Sequence, residues 1–230
     1  MKDNDYIRVI VSDVHLGSAH SKEDDFFSFI KETYFDELII NGDFLDLIKC
    51  PDFSSRTLDI INYLIETKKK IIYIIGNHDN PIYNFKNLKF CNVEFKTKYS
   101  FDYCNRKYFI THGDNYDSGL VKYSSFMKLV SVIQNFLEKT FSIDLGTFWA
   151  KIINKKNMIK SFWDIVNSNI NSDVVIIGHL HKPEVLIWVD ENSVVKTYAN
   201  TGDWVFNKTY IEVRDGVLRL KRYKGKQLDS

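Results

Sequence analysis

An α/β fold is predicted by three features of the sequence. The short apolar runs 7–12 (IRVIVS), 38–41 (LIIN) and 71–75 (IIYII) have the length and the β-branched content of buried strands. Between them, 22–34 (KEDDFFSFIKETY) and 55–68 (SRTLDIINYLIETK) place apolar residues three and four apart, which is the helical period. Strand, helix, strand, helix, strand at this spacing is the order of a parallel βαβαβ unit with both sheet faces covered.

The second half has a different texture. Residues 97–103 and 107–111 read as a hairpin around Asn105, and 173–178 (DVVIIG) as another buried strand. From 184 to 221 the pattern alternates, with turn signals at Asp190-Glu191-Asn192 and Asp215-Gly216, so three or four antiparallel strands are expected. Residues 118–172 interrupt the β pattern. Phe126, Leu129, Val130, Ile133 and Leu137 follow helical spacing and a second helix is expected over 148–170. The expectation is one domain over 1–230 with a helical insertion at 118–172 inside it.

Bulk composition narrows the function. A chain of 230 residues can bury a sizeable core, and 44% hydrophobic with 27% charged residues is ordinary for a globular protein. The net charge of +1 gives no whole-chain attraction to polyanions, so no nucleic-acid partner is expected. Cys50, Cys91 and Cys104 are odd in number and scattered, which favours a reducing compartment over a disulfide framework. The opening MKDNDYIRVIVSD lacks a secretory pattern, and no apolar stretch approaches the roughly 20 residues of a membrane span. A cytoplasmic location is expected.

Each expected strand of the first half ends in a polar cluster, and so do two strands of the second half. The five clusters are Asp13-x-His15, Gly42-Asp43, Gly76-Asn77-His78-Asp79, His112-Gly113 and Gly178-His179-x-His181. They contain five of the six histidines; only His20 lies outside. Taken singly they are weak: D-x-H after a strand is more often a helix cap, and GD or HG is a turn. GHLH is stronger, because histidines at i and i+2 point the same way from an extended backbone. Jointly, imidazoles and carboxylates at successive strand ends form a hard-to-borderline donor set, and the absence of cysteine disfavours a structural zinc site.

The order D-x-H, GD, GNHD, H-G, GHxH resembles the calcineurin-like metallophosphoesterase superfamily over nearly the whole chain. The resemblance implies a four-layer α-β-β-α sandwich of two mixed sheets. It implies two divalent metal ions, manganese first with iron or zinc as alternatives. One ion would be held by Asp13, His15 and His181, the other by Asn77, His112 and His179, with Asp43 bridging. His78 would stay off the metals and face the substrate, oriented by Asp79. A hydroxide formed between the ions would attack phosphorus while His78 assists the leaving group. Asp46 is expected to orient its loop, and Asn200 and Trp204 to support the site from the second sheet.

Three stretches carry a narrower resemblance. SDVHLGS (12–18), HGDNYD (112–117) and YANTGDWVFNKTYIEVRDGVLRL (198–220) are similar to the UDP-2,3-diacylglucosamine pyrophosphatase group, in its GNHD-bearing branch. That implies a nucleotide-diphosphate-lipid substrate and the release of UMP. The classical branch has Arg where this chain has His78. In that group a helical cap shapes an acyl-chain pocket, and 118–172 here holds seven lysines among Phe126, Phe136, Phe141, Phe148, Trp149, Phe162 and Trp163. Peripheral contact of this segment with the inner membrane is the matching expectation; packing of the aromatics on the sheets is the plainer one. A broader phosphodiesterase or phosphatase of the same fold is the rival reading, and a non-catalytic scaffold is a weaker one because no ligand position is vacant.

Overall fold

The computed structural model describes residues 6–48, 53–116, 165–169 and 171–225. The chain forms two compact units, one of residues 1–112 with 171–230 and one of 113–170. In the first unit the opening elements are β1 (Arg8–Val11), α1 (Glu23–Glu32), β2 (Glu37–Asn41), α2 (Ser55–Glu66) and β3 (Lys70–Ile74). The three strands are parallel, with Arg8 opposite Glu37 and Glu37 opposite Lys70. After β3 come a 3-10 turn over Asn80–Phe85 and β4 (Lys89–Phe90), β5 (Val93–Lys96), β6 (Lys98–Tyr103) and β7 (Arg106–Thr111). The remaining strands are β8 (Val174–Ile177), β9 (Glu184–Val189), β10 (Val195–Asn200), β11 (Thr209–Arg214) and β12 (Val217–Arg222).

They make two mixed sheets. The seven-stranded sheet runs β12-β11-β1-β2-β3-β5-β4, and the five-stranded sheet runs β6-β7-β8-β10-β9. Four strands do occupy 184–222, but they are divided between the sheets. β9 and β10 pair antiparallel in the second sheet, where β10 also runs parallel to β8. β11 instead crosses to pair antiparallel with β1. β4 and β5 carry no signal that the sequence pattern could catch, being two and four residues long with no fully buried position.

Both faces of the first sheet are covered, as its continuous apolar strands require. Ile10, Ile39, Ile72 and Ile74 meet Tyr108, Ile110, Val174 and Ile176 in a core shared by the two sheets. On the opposite face Val9, Val11, Leu38, Ile40 and Tyr73 pack with Phe26 and Phe29 of α1 and Ile60 and Leu64 of α2. Each Phe or Ile so buried contributes roughly 1.5–3 kcal/mol. Ser54 caps α2 by accepting from Thr57 N at 2.9 Å, a contact worth about 1 kcal/mol. α1 has no side-chain cap but begins with Glu23, Asp24 and Asp25, which suit the positive end of the helix dipole.

In the second unit the described residues form a 3-10 turn at Asp114–Tyr116 and a short helical turn at 165–168, joined by Asn169 Nδ2 donating to Tyr116 Oη at 3.1 Å. The helical insertion expected over 118–172 otherwise lies outside the described residues. Among the described residues, no helix is long and apolar enough to cross a membrane.

Candidate metal centre

Strands β1, β2 and β3 of one sheet and β7 and β8 of the other deliver polar loops to one place. Parallel neighbours end at the same edge, so their following loops converge. Asp13 N donates to Gly42 O at 3.0 Å, His15 N to Asp43 O at 3.0 Å and Gly178 N to His112 O at 3.0 Å, which ties loops distant in sequence to one another. Three overlapping groups of potential ligand atoms result: Asp13, His15 and His181; His15, Asp43 and His78; Asp43, His112 and His179. Within each group the atoms lie within 4.8 Å of one another. Asn77 joins the last group, its Oδ1 being 3.2 Å from His112 Nε2.

The backbone at these positions is unusual. Asp13, His15, Asp43, His179 and His181 all have left-handed φ, between 50° and 53°. This conformation costs a typical non-glycine residue roughly 1–2 kcal/mol, and such strain concentrates at functional sites. It also corrects the expectation for GHLH. His179 and His181 do not leave an extended backbone side by side; they turn into different groups, one towards Asp43 and the other towards Asp13.

Two glycines are required by close approach. Gly42 has φ +82°, and a Cβ there would fall on the His112 ring. Gly76 has no left-handed φ, so freedom to turn is not the reason for it; a Cβ there would strike the Asp43 carboxylate.

The charges are strongly organised. Burial would raise Asp43, but the charges of His112 and His78 hold it well below the ordinary carboxylate range. Asp13 is likewise lowered, by His181 against the effect of burial. Burial, reinforced by the charge of His78, pushes His15 down to about 4. For His181, burial is outweighed by the Asp13 carboxylate, and the imidazole rises to about 9. Asp13 Oδ1 is buried and lies 3.0 Å from His181 Nε2. A buried carboxylate oxygen facing an imidazole nitrogen offers two ligand atoms of a kind that suits a divalent cation. Side-chain exposure rises from 1% at His112 through 10% at His15 and 21% at His78 to 39% at His181, so the site opens on the His78–His181 side.

His78 Nδ1 lies 2.9 Å from Asp46 Oδ1. The carboxylate beside the His78 ring is therefore that of Asp46 and not, as expected, that of Asp79. Asp79 is fully buried and accepts from Tyr73 Oη (2.8 Å), Leu45 N (3.0 Å) and Gly76 N (3.1 Å), bracing the two loops that carry Asp43 and His78. Burial, with repulsion from Asp43, raises its carboxyl to about 7. The sequence marks Asp46 only as a loop-orienting residue; its contact with the His78 ring is a tertiary one. Nothing in the sequence singles out Tyr73, or the Asn41 carbonyl 2.9 Å from His112 Nδ1. Asn200 Nδ2 donates to Gly178 O at 2.9 Å, supporting the GHLH loop. Trp204 N donates to Asp13 O at 3.1 Å, while its indole packs on Phe26 and Phe29 beneath the first sheet.

The family model for the calcineurin-like phosphoesterase superfamily domain matches residues 8–210, a span that includes every one of these site residues. The chain belongs to the calcineurin-like phosphoesterase superfamily. It is accordingly a metal-dependent phosphoesterase, a hydrolase, and its Asp and His groups are ones that could bind the divalent metals such enzymes use. No curated protein matches the chain in sequence. Among solved structures, Yfce, a phosphoesterase from E. coli, is 16% identical with a TM-score of 0.51, covering 97% of each chain. Chaetomium thermophilum Vps29 is 9% identical with a TM-score of 0.51, covering 94% of this chain and 93% of that one. At such identities the likeness is one of fold.

Proposed function

We propose that this calcineurin-like phosphoesterase works with two divalent ions and hydrolyses a lipid-linked nucleotide diphosphate of the UDP-2,3-diacylglucosamine type, releasing UMP. The observation that carries the two-ion reading is the overlap of the three ligand groups, with Asp43 common to two of them. Asp13, His15 and His181 would hold one ion and Asn77, His112 and His179 the other, both in contact with Asp43. The donor set is oxygen and imidazole nitrogen, which suits manganese, iron or zinc, with manganese first. When bound, the ions supply positive charge to the phosphate oxygens and lower the pKa of water at the site.

The protein's own groups do the rest. Asp43, held ionised by its histidine neighbours, remains available as a ligand at neutral pH. His78 Nδ1 lies beside Asp46 on the open side of the site, so its other ring nitrogen, Nε2, would be the one to meet the substrate. As imidazolium it would protonate the leaving oxygen, a role worth about 10²–10⁴-fold. His15, driven to about 4, stays neutral and keeps its lone pair for coordination.

The substrate class, and the contact with the inner-membrane surface that would go with it, rest on the narrower resemblance and on the lysines and aromatics in the sequence of 118–172. Mass-spectrometric detection of UMP from the UDP-linked diacyl sugar, with added Mn²⁺, tests it. Turnover of simple diesters without UMP release would favour the broader phosphodiesterase reading instead.

A further inference from the structure

An edge strand exposes a row of unpaired N–H and C=O groups, and proteins protect such edges with charges, proline, bulges or short length. Three of the four edges described here follow that rule. β12 (VLRLKR) carries Arg219, Lys221 and Arg222, β6 (KYSFDY) carries Lys98 and Asp102, and β4 is only two residues long. β9 (EVLIWV) does not. Its residues 185–189 are all apolar, with no proline, no glycine and no charge, and its six-residue ladder to β10 is unbroken.

A strand that is apolar on both faces is the pattern of an interior strand. Yet among the described residues β9 is the outermost strand of its sheet. Val185 packs on the core shared by the two sheets, but Ile187 and Val189, two and four residues further along the same face, are 68% and 62% exposed. On the other face Leu186 is 43% exposed. Val195, paired across from Val189, extends the apolar surface into β10.

We propose that β9 pairs antiparallel with β9 of a second copy of this chain, joining two five-stranded sheets into one across a twofold axis. Another strand would satisfy the ladder groups of this edge and cover the exposed Ile187 and Val189. A twofold perpendicular to the sheet keeps each residue on its own face, so one residue must sit opposite itself. Centring on Ile187 places Val185 opposite Val189 and Leu186 opposite Trp188, which matches the uncharged window with itself. The acids brought together at its ends already have partners within their own chain: Glu184 lies 2.5 Å from Lys182 Nζ, and Asp190 lies 3.9 Å from Lys196 Nζ. The contact is roughly 20 Å of strand, a small interface that fits reversible association at micromolar concentration. It is independent of the phosphoesterase chemistry, because no site residue lies on β9.

Sedimentation velocity of the purified full chain, from about 1 to 200 µM, is the test. The native protein should shift from monomer to dimer across this range. Ile187→Lys and Val189→Lys, both at exposed positions, should each weaken dimerisation at least about tenfold with metal content and phosphoesterase rate unchanged. Amide exchange of 185–189 should slow as concentration rises. A native chain monomeric at the top concentration, or a dimer indifferent to both lysines, would overturn the assignment.

Discussion

Asp46 stands between two histidines: one of its oxygens is 2.9 Å from His78 Nδ1, and the other is 3.8 Å from His15 Nδ1. One carboxylate therefore sets the ring that would donate a proton and adjoins a ring that would hold an ion. Replacing it with Asn should leave bound metal largely in place while kcat falls about 10–100-fold, because His78 loses the charge that favours its protonated form. Single-turnover rates beside elemental analysis of the same sample check this.

His78→Ala should keep its metal and lose about 10²–10⁴-fold in kcat, with the smaller loss for esters whose leaving group needs no proton. Asp43→Ala should lose metal and activity together, since Asp43 also accepts His78 N at 2.8 Å and faces His112 Nε2 at 3.2 Å. Equal metal loss in the two variants would refute this division of roles.

Much of this site was legible in the sequence because strand ends are legible. Apolar runs that stop on Asp13, Asp43, Asn77, His112 and His179 announce where loops converge, and parallel order brings them to one edge. The orientation of each side chain was not legible. The turn that separates His179 from His181 is a left-handed backbone choice made by tertiary contacts, and nothing local to GHLH encodes it. Asp79 is a similar case: adjacency to His78 suggests a partner, whereas the fold turns that carboxylate inward to Tyr73. β4 and β5 escaped notice because their pairing depends on an existing edge at β3.

Gly76→Ala is a test of packing rather than of chain flexibility. The added methyl meets Asp43, so the variant should lose about 1–3 kcal/mol of stability and bind metal more weakly. Denaturant melts with and without Mn²⁺ should show a larger loss when the ion is present.

The pH dependence of the metal-free protein follows from His181, raised to about 9 from its ordinary 6.5. A raised folded value means that the contact with Asp13 stabilises the fold fully below pH 6.5, and that this contribution is lost as pH climbs through 9. Ion binding must displace that proton, so affinity should increase over the same interval. Titration calorimetry at pH 8 in two buffers of different ionisation heat should show net proton release; none would count against His181 as a ligand.

Three of the chain segments that build the centre hang from the seven-stranded sheet and two from the five-stranded one. Any cation seated there is thus a rivet through the seam of the sandwich. Chelation should loosen that seam first, so that solvent reaches the facing isoleucines of both sheets well before either ladder comes apart.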